Sequence, residues 1–242
     1  MRKYFPLVCL LAAIIAISSC RNVLKGEGNK TTVSPPVSSF STLDITLPVN
    51  VTINVQTGSQ PGIVLSGYEN VIKHIKINTD NNTLILKTDL DDNWTIDGRD
   101  VTVTITTPTL SALSLEGATD ADIHGNISGS NFKLGISGAS RAVIDNINTD
   151  NFSSDISGAA DLRIKSGNVK VASYELSGAG KILAFPLQTS ETSTSISGTG
   201  TSEVTASQKL TANISGAGTI KYKGHPSISR DVSGAGSISD AN

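Results

Sequence analysis

The sequence predicts an all-β fold: a single-stranded parallel β-helix, a right-handed β-solenoid with coils of about 18–21 residues, behind a more irregular N-terminal β region. Three observations predict it. A Ser-Gly-Ala motif recurs through the second half of the chain. Aliphatic residues recur at fixed distances from the glycine of that motif. The preceding segment alternates polar and apolar residues with period two and is rich in valine, isoleucine and threonine, the pattern of half-buried strands.

The repeat reads Ile136-Ser137-Gly138-Ala139, Ile156-Ser157-Gly158-Ala159, Leu176-Ser177-Gly178-Ala179, Ile214-Ser215-Gly216-Ala217 and Val232-Ser233-Gly234-Ala235. Leu115-Glu116-Gly117-Ala118 and Ile196-Ser197-Gly198-Thr199 are variants. From glycine to glycine the spacing is 21, 20, 20, 20, 18 and 18 residues. A period near twenty means stacked coils, each too small to bury a core alone. Two residues before the glycines stand Leu115, Ile136, Ile156, Leu176, Ile196, Ile214 and Val232. Further columns follow at four residues after the glycine (Ala121, Ala142, Leu162, Ile182, Ser202, Ile220, Ile238) and at six after it, from Ile123 to Tyr222. Phe132, Phe152, Leu210 and Ile228 start another, six before it. Steps of two keep side chains on one face of a strand, so these columns line the interior. The glycine itself marks a sharp corner that needs positive φ or close backbone approach. A phosphate-cradling loop would need a strand-to-helix setting, which this pattern lacks. Irregular coil lengths without a six-residue beat favour the right-handed coil over the left-handed hexapeptide type.

Residues 39–112 form the irregular opening strands and 113–242 the regular coils. Leu43–Leu47, Val49–Val55, Leu84–Lys87 and Val101–Ile105 alternate as strands, separated by Gly58, Pro61-Gly62, Asn81-Asn82 and Pro108. Val71, Ile72 and Ile75 fall at helical spacing, which predicts one short helix within Tyr68 to Ile77.

The N-terminus has the layout of an export signal. Arg2 and Lys3 precede an apolar run from Leu7 to Ile17, too short to span a bilayer as a helix. Ile17-Ser18-Ser19-Cys20 resembles a bacterial lipobox. Residues 1–19 are thus expected to be a lipoprotein signal peptide, with Cys20 the lipidated N-terminus and the bilayer its partner. Cys9 leaves with the signal, so no disulfide forms within the mature chain. Residues 20–38 are rich in glycine, asparagine, serine, threonine and proline, which predicts a flexible tether. The outer membrane is the expected address, and because no acidic run flanks Cys20 both its periplasmic and surface sides stay open.

A net charge of −2 argues against nucleic acid as a partner. Asp120, Asp122, Asp161, Arg141, Arg163 and Lys165 lie on neighbouring coils, with Asp120, Arg141 and Asp161 in one column. This column reads as cross-strand charge pairing, because no coil joins two acids to a base and a cleft. His74, His124 and His225 show no metal-ligand spacing, so neither metal nor cofactor is expected. Asp91, Asp92 and Asn93 flank Trp94, the only tryptophan. In a chain with 4% aromatic residues this turn is the first candidate for ligand binding, with Trp94 as a stacking platform.

Phe40-Ser41-Thr42-Leu43-Asp44-Ile45, Pro48-Val49-Asn50-Val51 and the serial Ser-Gly-Ala motifs resemble the family of auto-transporter adhesins with a head GIN domain. The resemblance covers most of the chain after the tether. It implies a single-stranded β-helix shaped like pectate lyases and hexapeptide acyltransferases, without their catalytic groups, and a role in cell adhesion. The expectation is therefore a non-enzymatic envelope lipoprotein binding a glycan or a host or matrix protein through its β-helical wall. A scaffolding lipoprotein of the envelope is the alternative, followed by a polysaccharide lyase or hydrolase. Only Ser237 to Asn242 follow the last motif, so the C-terminal end is expected to be covered, by returning chain or by a second copy in a homo-oligomer.

Overall fold

A computed structural model describes residues 22–242; the signal segment 1–19 and Cys20 lie outside the described residues. The fold is a β-solenoid of about six turns behind irregular N-terminal strands. The opening elements are β1 (Asn22–Leu24), β2 (Lys30–Val33), β3 (Thr42–Thr46), β4 (Asn50–Val55), β5 (Gly62–Tyr68), α1 (Glu69–Ile72), β6 (Ile75–Asp80), β7 (Thr83–Thr88), β8 (Trp94–Ile96) and β9 (Val101–Thr107). The coils comprise β10 (Ala112–Gly117), β11 (Asp120–Gly138), β12 (Arg141–Gly158), β13 (Asp161–Ile164), β14 (Gly167–Gly178) and β15 (Lys181–Leu183). They continue through β16 (Leu187–Gly198), β17 (Thr201–Thr205), β18 (Lys209–Gly216), β19 (Thr219–Lys223), β20 (Ser227–Gly234) and β21 (Ser237–Asp240).

All pairing between coils is parallel and follows the glycine register. A first wall runs from β10 through the C-terminal halves of β11 and β12, then β14, β16, β18 and β20. The glycines Gly117, Gly138, Gly158, Gly178, Gly198, Gly216 and Gly234 stand opposite one another along it. A second wall runs from β4 through the N-terminal parts of β11 and β12 to β13, β15, β17, β19 and β21. The expected columns line the core: Leu115, Ile136, Ile156, Leu176, Ile196 and Ile214 are all 3% exposed or less. Phe132 stacks on Phe152 with ring centroids 5.6 Å apart, and Phe152 meets Tyr174 edge-on at 5.7 Å. Full burial of such side chains contributes roughly 1.5–3 kcal/mol each, which is what holds a coil to its neighbours.

The N-terminal end is closed by a change of strand direction. β5 runs antiparallel to both β9 and β2, and β6 runs antiparallel to β7. The chain crosses from one wall to the other between β5 and β6, and the crossing is α1. Its Val71 and Ile72 are buried and cover the end of the core. The predicted helix is thus a single turn. Ile75, at helical spacing in the sequence, instead opens β6, because the apolar pairing with β7 outcompetes a short helix.

Residues 22–33 correct the expectation of a flexible tether. β1 pairs in parallel with β8, and β2 adds to the edge of β5. Leu24 and Val33 pack partly buried against the core, and the rest of each short edge strand needs only a partner's backbone.

The C-terminal end differs. No described segment returns over β20 and β21, and Ile228 and Val232 are each 41% exposed. In register, Arg230 follows Ala212 and Asp240 follows Tyr222, positions that face inward in the coils beneath. Charges at inward positions of a last coil discourage a further strand from docking.

Candidate functional site

Four consecutive coils carry a third wall, formed by residues 126–129, 146–149, 167–169 and 187–189. It forms because the chain bends twice within one coil. Gly125, Gly129 and Gly167 have positive φ there, and a Cβ on Gly125 or Gly167 would collide with the carbonyl of the coil below. Ile127, Ile147 and Leu187 point inward and are fully buried. The outward column in register is Ser128, Asn148, Asn168 and Gln188.

Asn148, Asn168 and Gln188 of that column line an open groove of about 540 Å³, continued by Asp150, Lys170, Ser190 and Ser207. The amides brace one another. Asn148 Nδ2 donates to Asn126 Oδ1 at 2.7 Å, and the Asn168 backbone N–H donates to Asn148 Oδ1 at 3.2 Å. The side-chain amides of Asn168 and Gln188 are exposed and make no hydrogen bond among the described residues. At the lip Lys170 Nζ lies 2.5 Å from Asp150 Oδ1. The groove therefore offers amide donors and acceptors, hydroxyls and one ion pair, repeated at the coil spacing of about 4.8 Å. It ends where the coils shorten from 20 to 18 residues. The lost residues are those of the third wall, and Ser207 closes the groove there. Such a surface binds by hydrogen bonding along its length. A smaller hollow of about 310 Å³ on the first wall is bordered by Asp155, Glu175 and Asp231 beside a ladder of serines.

Over residues 39–226 the chain matches the family described as "Putative auto-transporter adhesin, head GIN domain". The chain belongs to the head GIN domain family. No curated protein matches it significantly. Among solved structures, a "putative adhesin" from Bacteroides fragilis NCTC 9343 superposes with a TM-score of 0.84 at 24% identity, covering 90% of this chain and 100% of the other. A "putative lipid binding protein" from Parabacteroides distasonis ATCC 8503 gives 0.75 at 21% identity, covering 91% and 100%. A "putative adhesin" from Parabacteroides merdae ATCC 43184 gives 0.73 at 21%, again covering 91% and 100%. At these identities the likeness establishes the head GIN fold and leaves the ligand to the surface of each protein.

On this head GIN fold the residues singled out from sequence fall at separate places. Trp94 is 41% exposed and opens β8, at the N-terminal end of the solenoid beside β1. Asp91 closes the turn before it, accepting from the backbone N–H groups of Asn93 and Trp94. Asp92 and Asn93 are exposed, and the Asn93 carbonyl accepts from the Asn22 N–H. The four residues form a self-contained turn tied to the start of the described chain.

The acidic column lies on the outer face of the second wall. Arg141 Nε is 3.4 Å from Asp120 Oδ1, and its Nη1 is 3.8 Å from Asp122 Oδ1. Four residues after Arg141 on the same strand, β12, Asp145 receives both His124 Nδ1 at 3.0 Å and Lys165 Nζ at 2.8 Å. Partial burial works to raise the Asp145 carboxyl, but the hydrogen bonds from Lys165 and His124 outweigh it and hold the group below its ordinary range. His74 similarly bonds Asp89, whose carboxyl is lowered first by Lys76 and then by His74. Among the described residues no three of His, Cys, Asp and Glu are grouped to hold a metal ion.

Sequence reading missed the groove although its signal was present. Asn148, Asn168 and Gln188 each stand ten residues before a corner glycine.

Proposed function

We propose that this chain is a non-enzymatic, lipid-anchored adhesin of the bacterial envelope, seated in the outer membrane, that binds a glycan along the amide-lined groove of its third wall. The observation that carries the reading is the column Asn148, Asn168 and Gln188 on successive coils, with two amides unengaged. Planar amides and hydroxyls pair with vicinal sugar hydroxyls as both donor and acceptor. A ladder repeating at about 4.8 Å meets an extended polysaccharide about once per sugar unit. Membership of an adhesin family supports the role, and the Ile17-Ser18-Ser19-Cys20 sequence supports the anchor. The acid–base ladder around Arg141 serves stability, since its exposed pairs are satisfied by one another.

The test is retention on a glycan array of the wild-type chain and of the triple variant Asn148→Ala, Asn168→Ala, Gln188→Ala. Saturable binding by the wild type, lost in the variant, is expected. Binding indifferent to the triple change would remove the groove from the function. New reducing ends or unsaturated sugars released from the bound polysaccharide would replace adhesion with catalysis.

A further inference from the structure

We infer that the Trp94 edge of the N-terminal cap is a membrane-contact surface, pressed against the bilayer by β1. The inference rests on the reading of Cys20 as the lipid-bearing residue and goes beyond it, by fixing how the domain sits on the membrane.

The start of the described chain is stitched to the domain rather than free of it. The Asn22 N–H donates to the Asn93 carbonyl at 2.7 Å, and the Asp97 N–H donates to the Leu24 carbonyl at 3.0 Å. Asn22, Val23 and Leu24 stand opposite Trp94, Thr95 and Ile96. The Gly26 N–H donates to Asp100 Oδ2 at 3.2 Å. Asn70 clasps the next turn, its Oδ1 accepting from the Glu27 N–H at 3.0 Å and its Nδ2 donating to the Lys25 carbonyl at 2.8 Å. Cys20 precedes Asn22 by two residues, a span of at most about 7 Å even when fully extended. A lipid on Cys20 therefore enters the bilayer within about that distance of the residue paired with Trp94.

The surface at that point suits a lipid headgroup region. Trp94 is 41% exposed, and Val23, 46% exposed, projects from the opposite face of the same short ribbon, so both faces of its outer end carry an exposed apolar side chain. The Trp94 indole N–H makes no hydrogen bond among the described residues, so it is open to a lipid carbonyl or phosphate. An indole with one apolar face and one donor is the side chain most favoured at this depth. Asp91 and Asp92 on the same turn favour zwitterionic over anionic headgroups. The solenoid is then held with its capped end toward the membrane, and the third-wall groove stands some coils away from it.

Trp94 is the only tryptophan, so its fluorescence reports this contact alone. The full chain is expressed with its leader in a lipoprotein-processing bacterium, purified in detergent, and returned to phosphatidylcholine vesicles carrying bromine near the headgroup end of the acyl chains. Mass analysis of the N-terminal peptide establishes the lipid on Cys20. Loss of most Trp94 emission in brominated vesicles, with protection from aqueous iodide, is expected. A flexible glycine-serine insert of about ten residues between Arg21 and Asn22 adds roughly 16–19 Å of reach and should restore the emission without releasing the protein from the vesicles. Lipid on Cys20 together with unquenched, iodide-accessible Trp94 overturns the contact and leaves the anchor standing. A Cys20 without lipid overturns the anchor itself, and the inference with it.

Discussion

Gly158 sits directly over Gly138. The Ala159 N–H donates to the Gly138 carbonyl at 2.9 Å, and a Cβ on Gly158 would stand 2.4 Å from that same oxygen. With φ at +100°, Gly158 also occupies backbone space that L side chains rarely enter. Gly158→Val should thus cost several kcal/mol, through both strain and a broken corner bond, on the order of 3 kcal/mol or more. Asp161→Ala, on the solvated face of the next strand, should stay within about 0.5 kcal/mol. Thermal melts of the two variants compare them directly, and equal melting temperatures would contradict the corner geometry.

The interior is not uniformly apolar. Thr194 and Ser202 are fully buried and share a hydrogen bond of 2.9 Å. Thr194→Val alone strands the Ser202 hydroxyl and should cost about 1–3 kcal/mol. Adding Ser202→Ala should recover most of that loss, because the stranded hydroxyl is then removed as well. Denaturant unfolding of the single and double variants measures the difference.

Asp145 ties two coils together through His124 and Lys165, and its folded carboxyl lies below the ordinary carboxylate value. A lowered folded value contributes stability that is fully present above the unfolded value near 3.9 and is lost as pH falls through the folded one. Asp145→Asn should therefore destabilise by about 0.5–1 kcal/mol at neutral pH. The gap in melting temperature should close toward pH 3 and below. A gap that stays constant with pH would show that the carboxylate's charge is not what matters.

Arg230 and Asp240 place charge where the coil beneath places Ala212 and Tyr222. Arg230→Leu with Asp240→Ile should convert the last coil into an apolar edge and promote end-to-end association. Light scattering is expected to show a larger species for the double variant than for the wild type at the same concentration. Wild-type protein that already dimerises through this end would overturn the assignment of the two charges as an edge block.

The stacked core was legible from residue spacing because each coil repeats one register. Ile136, Ile156 and Leu176 declare their common orientation through a constant offset from glycine. The N-terminal cap was less legible, since its order depends on partners far away in sequence. Lys30–Val33 has little apolar content, and its strand exists because β5 offers an edge. Val71, Ile72 and Ile75 fit a helix locally, and only the pairing of Ile75 with Thr88 shows where it stops. At the candidate site the aromatic Trp94 drew notice as a lone residue. The amides escaped it, since asparagine in a turn-rich sequence is ordinary until three fall on one column.

Because each coil bonds only to the one below and the one above, coil number is a free variable of this architecture. The groove is a property of the 20-residue coils, whereas the cap and the charged last coil belong to the ends. Duplicating residues 159–178 would splice in one more layer, bringing a further copy of Asn168 and Lys170 into the groove. The trough would lengthen by about 4.8 Å with both termini untouched. A lineage could thus tune the reach of its surface toward longer or shorter ligands by gaining or shedding whole modules, without inventing a new fold.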